Sequence, residues 1–216
     1  MTNPAKSIAQ RLLDAHLAIT NSINTAEILT AVTPFGYGLP RLQAADALYD
    51  EVVKLDEMQS MEYGEQYEAT AVMHNAWEEA KTVYMDTLKI ARIAFRGNNK
   101  ARTGLGLSGD RKQSISGWLK QASKFYNNML RNPDFIAAMT PFSYDQAKLE
   151  AGAALVQAVD EANDLQEQER GDAQDATQAR DAKMDELDQW LADYKVVAHV
   201  ALGETSQQLE KLGWVA

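Results

Sequence analysis

Apolar residues near the N-terminal end of the chain recur at the spacing of one face of an α-helix. They stand three or four positions apart, and this spacing predicts a helix that begins near Ser7. The same spacing returns in the second half of the chain. The two sets are Ile8, Leu12, Ala15 and Ile19, and Ile115, Leu119, Ala122 and Tyr126.

A five-residue element also occurs twice. Thr33-Pro34-Phe35-Gly36-Tyr37 returns 107 positions later as Thr140-Pro141-Phe142-Ser143-Tyr144, and the same shift aligns the two apolar sets without a gap. A repeat of this length indicates two copies of a domain-sized unit. The sequence therefore predicts an all-α fold made by tandem duplication, with helical repeats at residues 1–107 and 108–216. We expect three long helices in each repeat, packed around one shared core as a pseudo-two-fold helical bundle.

The first helix of each repeat is expected to end before a short second helix. In the second repeat, Asn132 is a good N-cap, Pro133 suits the first helical position, and Asp134 places an acid in the first turn. The matching segment around Asn24 and Thr25 should break the chain in the same way. Proline then disfavours helix in the residue before it, so Thr33-Pro34 and Thr140-Pro141 should end the short helices.

Phe35 and Tyr37, with Phe142 and Tyr144 in the second repeat, stand two positions apart in these turns. We expect both aromatic residues to pin the turn to the core, as a hydrophobic staple does. The alternative is that they form an aromatic recognition loop.

The next helices should begin after Gly38 and at Gln146. Gly64 and Gly171 then mark either the turn of an αα-hairpin or a position inside one helix of about 57 residues. We favour the hairpin, because glycine costs about 1 kcal/mol in a helix interior. The third helices, at 66–95 and 173–202, end in strongly apolar segments, 88–95 and 194–202, which we expect to lie deepest in the core.

Residues 97–110 are rich in glycine and polar side chains, and they predict a solvated linker between the repeats. The corresponding C-terminal segment, 205–214, is typical of a short capped helix that ends at Gly213.

The net charge of −10 argues against nucleic acid or an anionic membrane as a partner, since both attract a cationic face. The chain has no cysteine, so disulfides and thiolate chemistry are excluded. Residues 1–20 lack the apolar core of a signal peptide, and no run reaches the length of a membrane span. These features favour a cytoplasmic protein.

Candidate catalytic chemistry is sparse. His16, His74 and His199 stand in no Glu-x-x-His or His-x-x-x-His pattern, which argues against a di-metal centre. Carboxylates crowd residues 160–193, but they follow no calcium-loop pattern and are typical of a solvated helix face. We therefore expect no catalytic residue, no metal and no cofactor. Trp77, Trp118, Trp190 and Trp214 lie mostly on the apolar stripes and are expected in the core.

A basic stretch lies in the middle of the chain and contrasts with the acidic second half. It could bind acidic helices of the same or another molecule, or a phosphate-bearing ligand, although solvation of the linker is the simpler interpretation. Its residues are Arg96, Lys100, Arg102, Arg111, Lys112, Lys120 and Lys124.

The stretch Gly171-Asp172-Ala173-Gln174, with Thr177, Arg180-Asp181, Trp190 and Leu212-Gly213, resembles the C-terminal tails of uncharacterised bacterial all-helical proteins. The resemblance covers residues 171–213 and implies no activity.

These observations favour a non-catalytic structural or protein-interaction bundle that binds itself, as a homo-oligomer, or another protein. The alternative is a bundle that binds an apolar or phosphate-bearing small molecule between its helices. The candidate interaction residues are Arg96, Lys100, Arg102, Arg111, Lys112, Phe35, Tyr37, Phe142 and Tyr144.

Overall fold

A computed structural model of the chain describes residues 6–203 and 207–214, and within these ranges the protein is all-α without a strand. None of the described helices combines the length and apolar character that a membrane span requires. The helices are α1 (Ile8–Asn24), α2 (Ala26–Val32), α3 (Leu39–Ala94), α4 (Asn99–Gly104), α5 (Ile115–Leu130), α6 (Pro133–Met139), α7 (Gln146–Leu202) and α8 (Gln207–Lys211). Short 3-10 helices, Thr33–Phe35 and Thr140–Phe142, follow α2 and α6.

Local capping explains where these helices begin. The side chain of Ser7 accepts a hydrogen bond from the backbone N–H of Gln10, and Ser114 accepts one from Gly117 at the start of α5. At α6, Asn132 accepts from the N–H of Asp134. The predicted breaks after α1 and α5, and the predicted turns at the Thr-Pro-Phe elements, are confirmed.

Equivalent elements begin 107 positions apart. The starting pairs are Ile8 and Ile115, Ala26 and Pro133, Thr33 and Thr140, and Leu39 and Gln146. The described residues of the two repeats therefore follow the same order of secondary structure.

The predicted hairpins at Gly64 and Gly171 are wrong. Helix α3 continues through Gly64 for 56 residues, and α7 continues through Gly171 for 57 residues. A glycine costs only about 1 kcal/mol in a helix, which the surrounding helix formers and packed faces outweigh. Each repeat thus contains one very long helix where two were expected.

The chain forms two compact units. Unit 1 consists of the described residues of Met1–Tyr63 and Asp172–Ala216, and unit 2 consists of Gly64–Gly171. Helix α3 contributes residues 39–63 to unit 1 and 64–94 to unit 2, while α7 contributes 146–171 to unit 2 and 172–202 to unit 1. Each unit therefore combines residues from both sequence repeats.

The core of unit 1 is built from α1, α2, the adjoining parts of α3 and α7, and the C-terminal segment. Aromatic residues dominate one end of this core, and aliphatic residues the other. The buried residues are Ala15, Ala18, Ile19, Ile28, Val32, Tyr37, Leu42, Ala45, Val52, Met184, Leu187, Tyr194, Ala198, Leu209, Leu212 and Trp214.

The core of unit 2 centres on Tyr84, Trp118, Phe125 and Tyr126, whose rings meet mostly edge to face. Gly152 of α7 packs closely against the ring of Tyr126. A Cβ atom at this position would come within 2.5 Å of the tyrosine oxygen, so the contact requires a glycine. The hydroxyl of Tyr126 donates to Thr87 at 3.3 Å. Burial raises the pKa of Tyr126 to about 12.

Residues 97–110 are not the solvated linker that their composition predicted. They contain α4, and Ala101, Leu105 and Leu107 are buried in the core of unit 2. The burial of these three apolar side chains outweighs the glycine content of the segment. The C-terminal prediction of a short helix is confirmed for α8, while Thr205 and Ser206 lie outside the described residues.

The apolar ends of the long helices are buried on one face only. Leu88 and Ala91 of α3 and Tyr194 and Ala198 of α7 are buried as expected, but Val196 and Val200 are 65% and 66% exposed. A single helix cannot turn every side of such a segment inward.

Candidate functional site

A cavity formed by described residues lies in unit 1 and has a volume of about 690 Å³. It is half open to solvent, and α1, the last third of α7 and the C-terminal segment form its walls. The lining residues are Lys6, Arg11, Asp14, Asp188, Leu191, Ala192, Lys195, Leu212, Gly213 and Trp214.

Arg11 forms one polar wall of this cavity. Its Nε donates to Oδ2 of Asp188 at 2.8 Å, its Nη2 lies 2.6 Å from the same oxygen, and Oδ1 of the exposed Asp185 is 3.4 Å away. The hydrogen bond that Arg11 donates to Asp188, with the charges of both aspartates, raises the pKa of Arg11 against the opposing effect of burial. Arg11 is therefore a fixed, neutralised cation that ties α1 to α7.

Asp14 holds a second ion pair. Its carboxylate accepts from Nζ of Lys6 at 2.6 Å and from Nε2 of Gln10 at 2.8 Å. Burial alone would raise the pKa of Asp14, but the hydrogen bonds from Lys6 and Gln10 and the charges of Lys6 and Lys195 hold it below its ordinary value. Asp14 is thus ionised at neutral pH.

Lys195 differs from the other two cations. Among the described residues, no carboxylate lies within ion-pair distance of its Nζ, which stands 5.8 Å from the centre of the Trp214 ring. The ring of Trp214 also stacks on His199 and meets Tyr194 edge to face. The cavity therefore joins an apolar wall to an ammonium group that has no described carboxylate within ion-pair distance, although its charge acts on Asp14.

Tyr194 packs against Trp214, the aromatic residue of the cavity lining. Its hydroxyl is hydrogen-bonded to Ser22, whose own hydroxyl donates to the carbonyl oxygen of Ala18 at 2.6 Å. Burial raises the pKa of Tyr194, and its ring packs against the rings of Trp190 and Tyr37.

No protein-family model, curated protein or solved structure matches this chain.

The Thr-Pro-Phe turns place their two aromatic residues in different environments. Phe35 is 48% exposed and Phe142 is 40% exposed, whereas Tyr37 is buried and Tyr144 is partly buried. The prediction that the phenylalanines are core staples is wrong. In each 3-10 turn the phenylalanine points outward, and a left-handed residue, Gly36 or Ser143, then directs the tyrosine inward.

A cation covers the tyrosine in both turns. The guanidinium of Arg41 lies 4.0 Å from the ring centre of Tyr37, and Nζ of Lys148 lies 4.0 Å from that of Tyr144. Thr33 and Thr140 fix the turns, since their hydroxyls donate to the carbonyl oxygens four residues earlier at 2.6 Å and 2.9 Å. Each turn therefore carries an exposed phenylalanine and, two positions later, a tyrosine covered by a cation.

The basic stretch does not form one patch of free cations. Arg111 donates to the hydroxyl of Tyr84 at 2.9 Å and to the carbonyl oxygens of Gly106, Ser108 and Gly109 at 3.0–3.1 Å. It therefore holds the loop that precedes α5.

Of the other candidates from that stretch, Arg102 lies 3.3 Å from the hydroxyl of Ser108. Arg96, Lys100 and Lys112 are exposed, as are Lys120 and Lys124. The structure thus gives Arg111 a structural position and leaves Arg96, Lys100 and Lys112 at the surface.

Two smaller grooves lie in unit 2. One, of about 370 Å³, runs between α5 and α7 beside Tyr126 and ends in Glu150 and Asp160. The other, of about 220 Å³, has the acidic Glu65, Glu68 and Glu169 beside apolar residues.

The acidic second half of the chain is partly paired with its own few cations. Arg170 lies 3.2 Å from Glu167, Arg180 lies 2.7 Å from Asp181, and Lys183 lies 3.1 Å from Glu186. Pairs of this kind at the surface add little stability. The predicted solvated acidic face agrees with this arrangement.

Sequence analysis missed the cavity residues Arg11, Lys195 and Trp214. A signal was present in the repeat, because the residues 107 positions away are Trp118, Leu88 and Leu107. Arg11 and Lys195 are charged where the other repeat has the apolar Trp118 and Leu88, and this difference could have marked unit 1 as the place of a polar site.

Proposed function

We propose that this protein is a non-catalytic helical-bundle protein that acts by binding another protein molecule, either a second copy of itself or a different chain. The observation that carries the proposal is the outward position of Phe35 and Phe142 in two matching, hydrogen-bonded turns. A large aromatic side chain held at the surface by a rigid turn is the type of residue that contributes most to protein interfaces.

The charges beside the phenylalanines indicate the chemistry of the partner. Arg41 and Lys148 stand over the tyrosines of the two turns, so each turn combines an exposed phenylalanine with a cation. A complementary surface would offer an apolar pocket bordered by carboxylates. The groove of about 220 Å³ in unit 2 of a second copy, with its carboxylates beside apolar residues, has this character, which makes self-association one form of the proposal.

We also infer that the chain arose by tandem duplication and that its two repeats form a pseudo-two-fold helical bundle. Four pairs of elements that begin 107 positions apart support this inference, as do the paired cations over Tyr37 and Tyr144. Duplication would give the protein two related interaction turns and could raise its avidity for a partner with two sites.

The proposal is tested with the double variant Phe35→Ala/Phe142→Ala. Light scattering at low and high salt measures self-association against the monomer mass of 23.9 kDa. If the parent chain associates, the double variant should be monomeric. Tyr67→Ala, which removes another exposed aromatic residue, is the matched control and should leave the mass unchanged.

If the parent chain is monomeric at every salt concentration, the partner must be a different protein. Affinity capture from the native host should then retain a protein that the double variant fails to retain and that Tyr67→Ala retains. A parent chain that neither associates nor captures such a protein, or a partner held equally by the double variant, would show that the turns are not an interface.

A second candidate function is the binding of a small molecule, and the cavity of unit 1 favours it. Its volume of about 690 Å³ falls within the range of roughly 300–1,000 Å³ that is usual for small-molecule sites. Its lining mixes apolar walls with a few charged groups, which is also typical of such sites.

A further inference from the structure

The wall that closes the cavity on the C-terminal side is held in place by the protein itself. Asn21 of α1 donates a hydrogen bond to the carbonyl oxygen of Lys211, and Leu209 and Leu212 are buried. Gly213 lies so close to Leu17 that a Cβ atom would come within 2.8 Å of that side chain. The cavity is therefore formed in advance of any ligand.

Among the described residues, the lining carries an excess of positive charge. Lys6, Arg11 and Lys195 supply three cations, while Asp14 and Asp188 supply two carboxylates. Lys6 is paired with Asp14, and Arg11 is paired with Asp188 and with Asp185, which stands outside the lining. Lys195 is the lining cation whose charge no described carboxylate balances within ion-pair distance.

The ammonium group of Lys195 lies next to an apolar surface. Its Nζ lies 5.8 Å from the centre of the Trp214 ring, and Leu191, Ala192 and Leu212 complete the wall. A ligand that fits both features has an apolar body and a negatively charged group, since a charge-assisted hydrogen bond is stronger than a neutral one.

The corresponding positions of unit 2 show that the helical frame does not by itself create a cavity. Leu88 stands at the position of Lys195, Leu107 at that of Trp214, and Trp118 at that of Arg11. All three are buried in the core of unit 2. The open, charged cavity of unit 1 therefore depends on the side chains at these positions, Arg11, Lys195 and Trp214.

We infer that the cavity of unit 1 binds a small organic anion with an aromatic or aliphatic body, whose acid group pairs with Lys195 and whose body lies against Trp214. This inference rests on the second candidate function, the binding of a small molecule. It adds the class of ligand and the residue that selects it.

The test uses two fluorescent probes of similar shape and different charge with the full-length protein. Anilinonaphthalene sulfonate is an aromatic anion, and phenylnaphthylamine is its neutral counterpart. The anion should bind in a one-to-one complex, and Lys195→Met should weaken that binding about tenfold or more, as expected for a lost hydrogen bond between charged groups. The same variant should leave the affinity for the neutral probe within about twofold.

Two further variants separate charge from shape. Lys89→Met removes an exposed lysine of unit 2 and should not change the binding of either probe. Ala192→Phe fills the cavity from its wall and should weaken both probes. Naphthoate and naphthyl phosphate, used as competitors, distinguish a carboxylate from a phosphate ligand, and at least one of them should displace the anionic probe.

The outcomes distinguish the ligand class from the function on which it rests. If Lys195→Met has no effect, if it weakens the neutral probe equally, or if neither competitor displaces the anionic probe, the selection of an anion is refuted. If Ala192→Phe then still weakens both probes, the cavity nevertheless binds small molecules. If neither probe forms a one-to-one complex that Ala192→Phe disrupts, both the ligand class and the small-molecule function are wrong.

Discussion

Replacing Gly64 or Gly171 by alanine should stabilise the protein by about 1 kcal/mol at each position. Both glycines lie inside continuous helices, and beyond the adjacent residues and the backbone of the helix itself no atom lies within 4 Å of the place that a Cβ would occupy. The new methyl group therefore meets open space. The gain is the difference between glycine and alanine in a helix interior, about 0.8–1 kcal/mol.

The same substitution at Gly152 should have the opposite sign. An added Cβ would lie 2.5 Å from the hydroxyl oxygen of Tyr126 and 2.7 Å from two of its ring carbons. The ring is buried and its hydroxyl donates to Thr87, so it cannot move aside freely. Overpacking of this kind costs about 1–3 kcal/mol.

Urea unfolding followed by far-UV circular dichroism measures all three variants against the parent chain. We expect a higher midpoint for Gly64→Ala and Gly171→Ala, a lower one for Gly152→Ala, and near additivity in the double variant Gly64→Ala/Gly171→Ala. A loss of stability at Gly64 or Gly171 would mean that the glycine adopts a conformation that alanine cannot, as in a hairpin turn, and would refute the continuous helices.

Three further predictions follow from the cores and from the repeat. Burial raises the pKa of Tyr126 to about 12, so as the pH rises the unfolded chain loses this proton before the folded chain does. The parent should therefore lose about 1.4 kcal/mol of stability from this group by pH ~11. Urea titrations should show that Tyr126→Phe lacks this loss. Arg111→Met leaves the carbonyl oxygens of Gly106, Ser108 and Gly109 without their donor, and it should lower stability by about 1–3 kcal/mol and speed amide exchange in that loop. Residues 1–107 produced alone should form a dimer in light scattering, because unit 1 also requires residues 172–214, which only the equivalent part of a second fragment could replace.

Specific results would contradict each of these. An equal alkaline loss in Tyr126→Phe and the parent would show that the phenol titrates alike in the folded and unfolded chain, and Tyr67→Phe serves as the exposed control. Unchanged exchange in Arg111→Met would mean that the loop is held by other groups. A stable monomer of residues 1–107 would show that one repeat completes a core without help.

Local features of the fold could be predicted because short-range chemistry decides them. Ser7, Asn132 and the two prolines after threonine cap or end helices through neighbours within four residues. The continuity of α3 through Gly64 could not be predicted, since a penalty of about 1 kcal/mol is small beside the packing of a whole helix. The burial of Leu105 and Leu107 was not predicted, because the glycine content of residues 97–110 was given more weight than the three apolar residues Ala101, Leu105 and Leu107.

The candidate site was harder to predict than the helices. Arg11, Lys195 and Trp214 meet only through the fold, and nothing in their own neighbourhoods along the chain marks them as partners. The outward turn of Phe35 depends on a 3-10 geometry followed by the left-handed Gly36, which apolar spacing does not encode. Comparison of the repeats was the one available signal, because it places Lys195 opposite Leu88.

The contrast between Lys195 and Leu88 has a consequence for the tandem duplication that we propose. A single repeat that built both units by pairing with a copy of itself would have to place the same residue at both positions. Lysine would then bury an unpaired charge where Leu88 is completely enclosed, at a cost of several kcal/mol, and leucine would remove the ammonium group from the cavity. Joining the repeats gives each position its own codon, so one unit can keep a solid interior while the other acquires a charged opening.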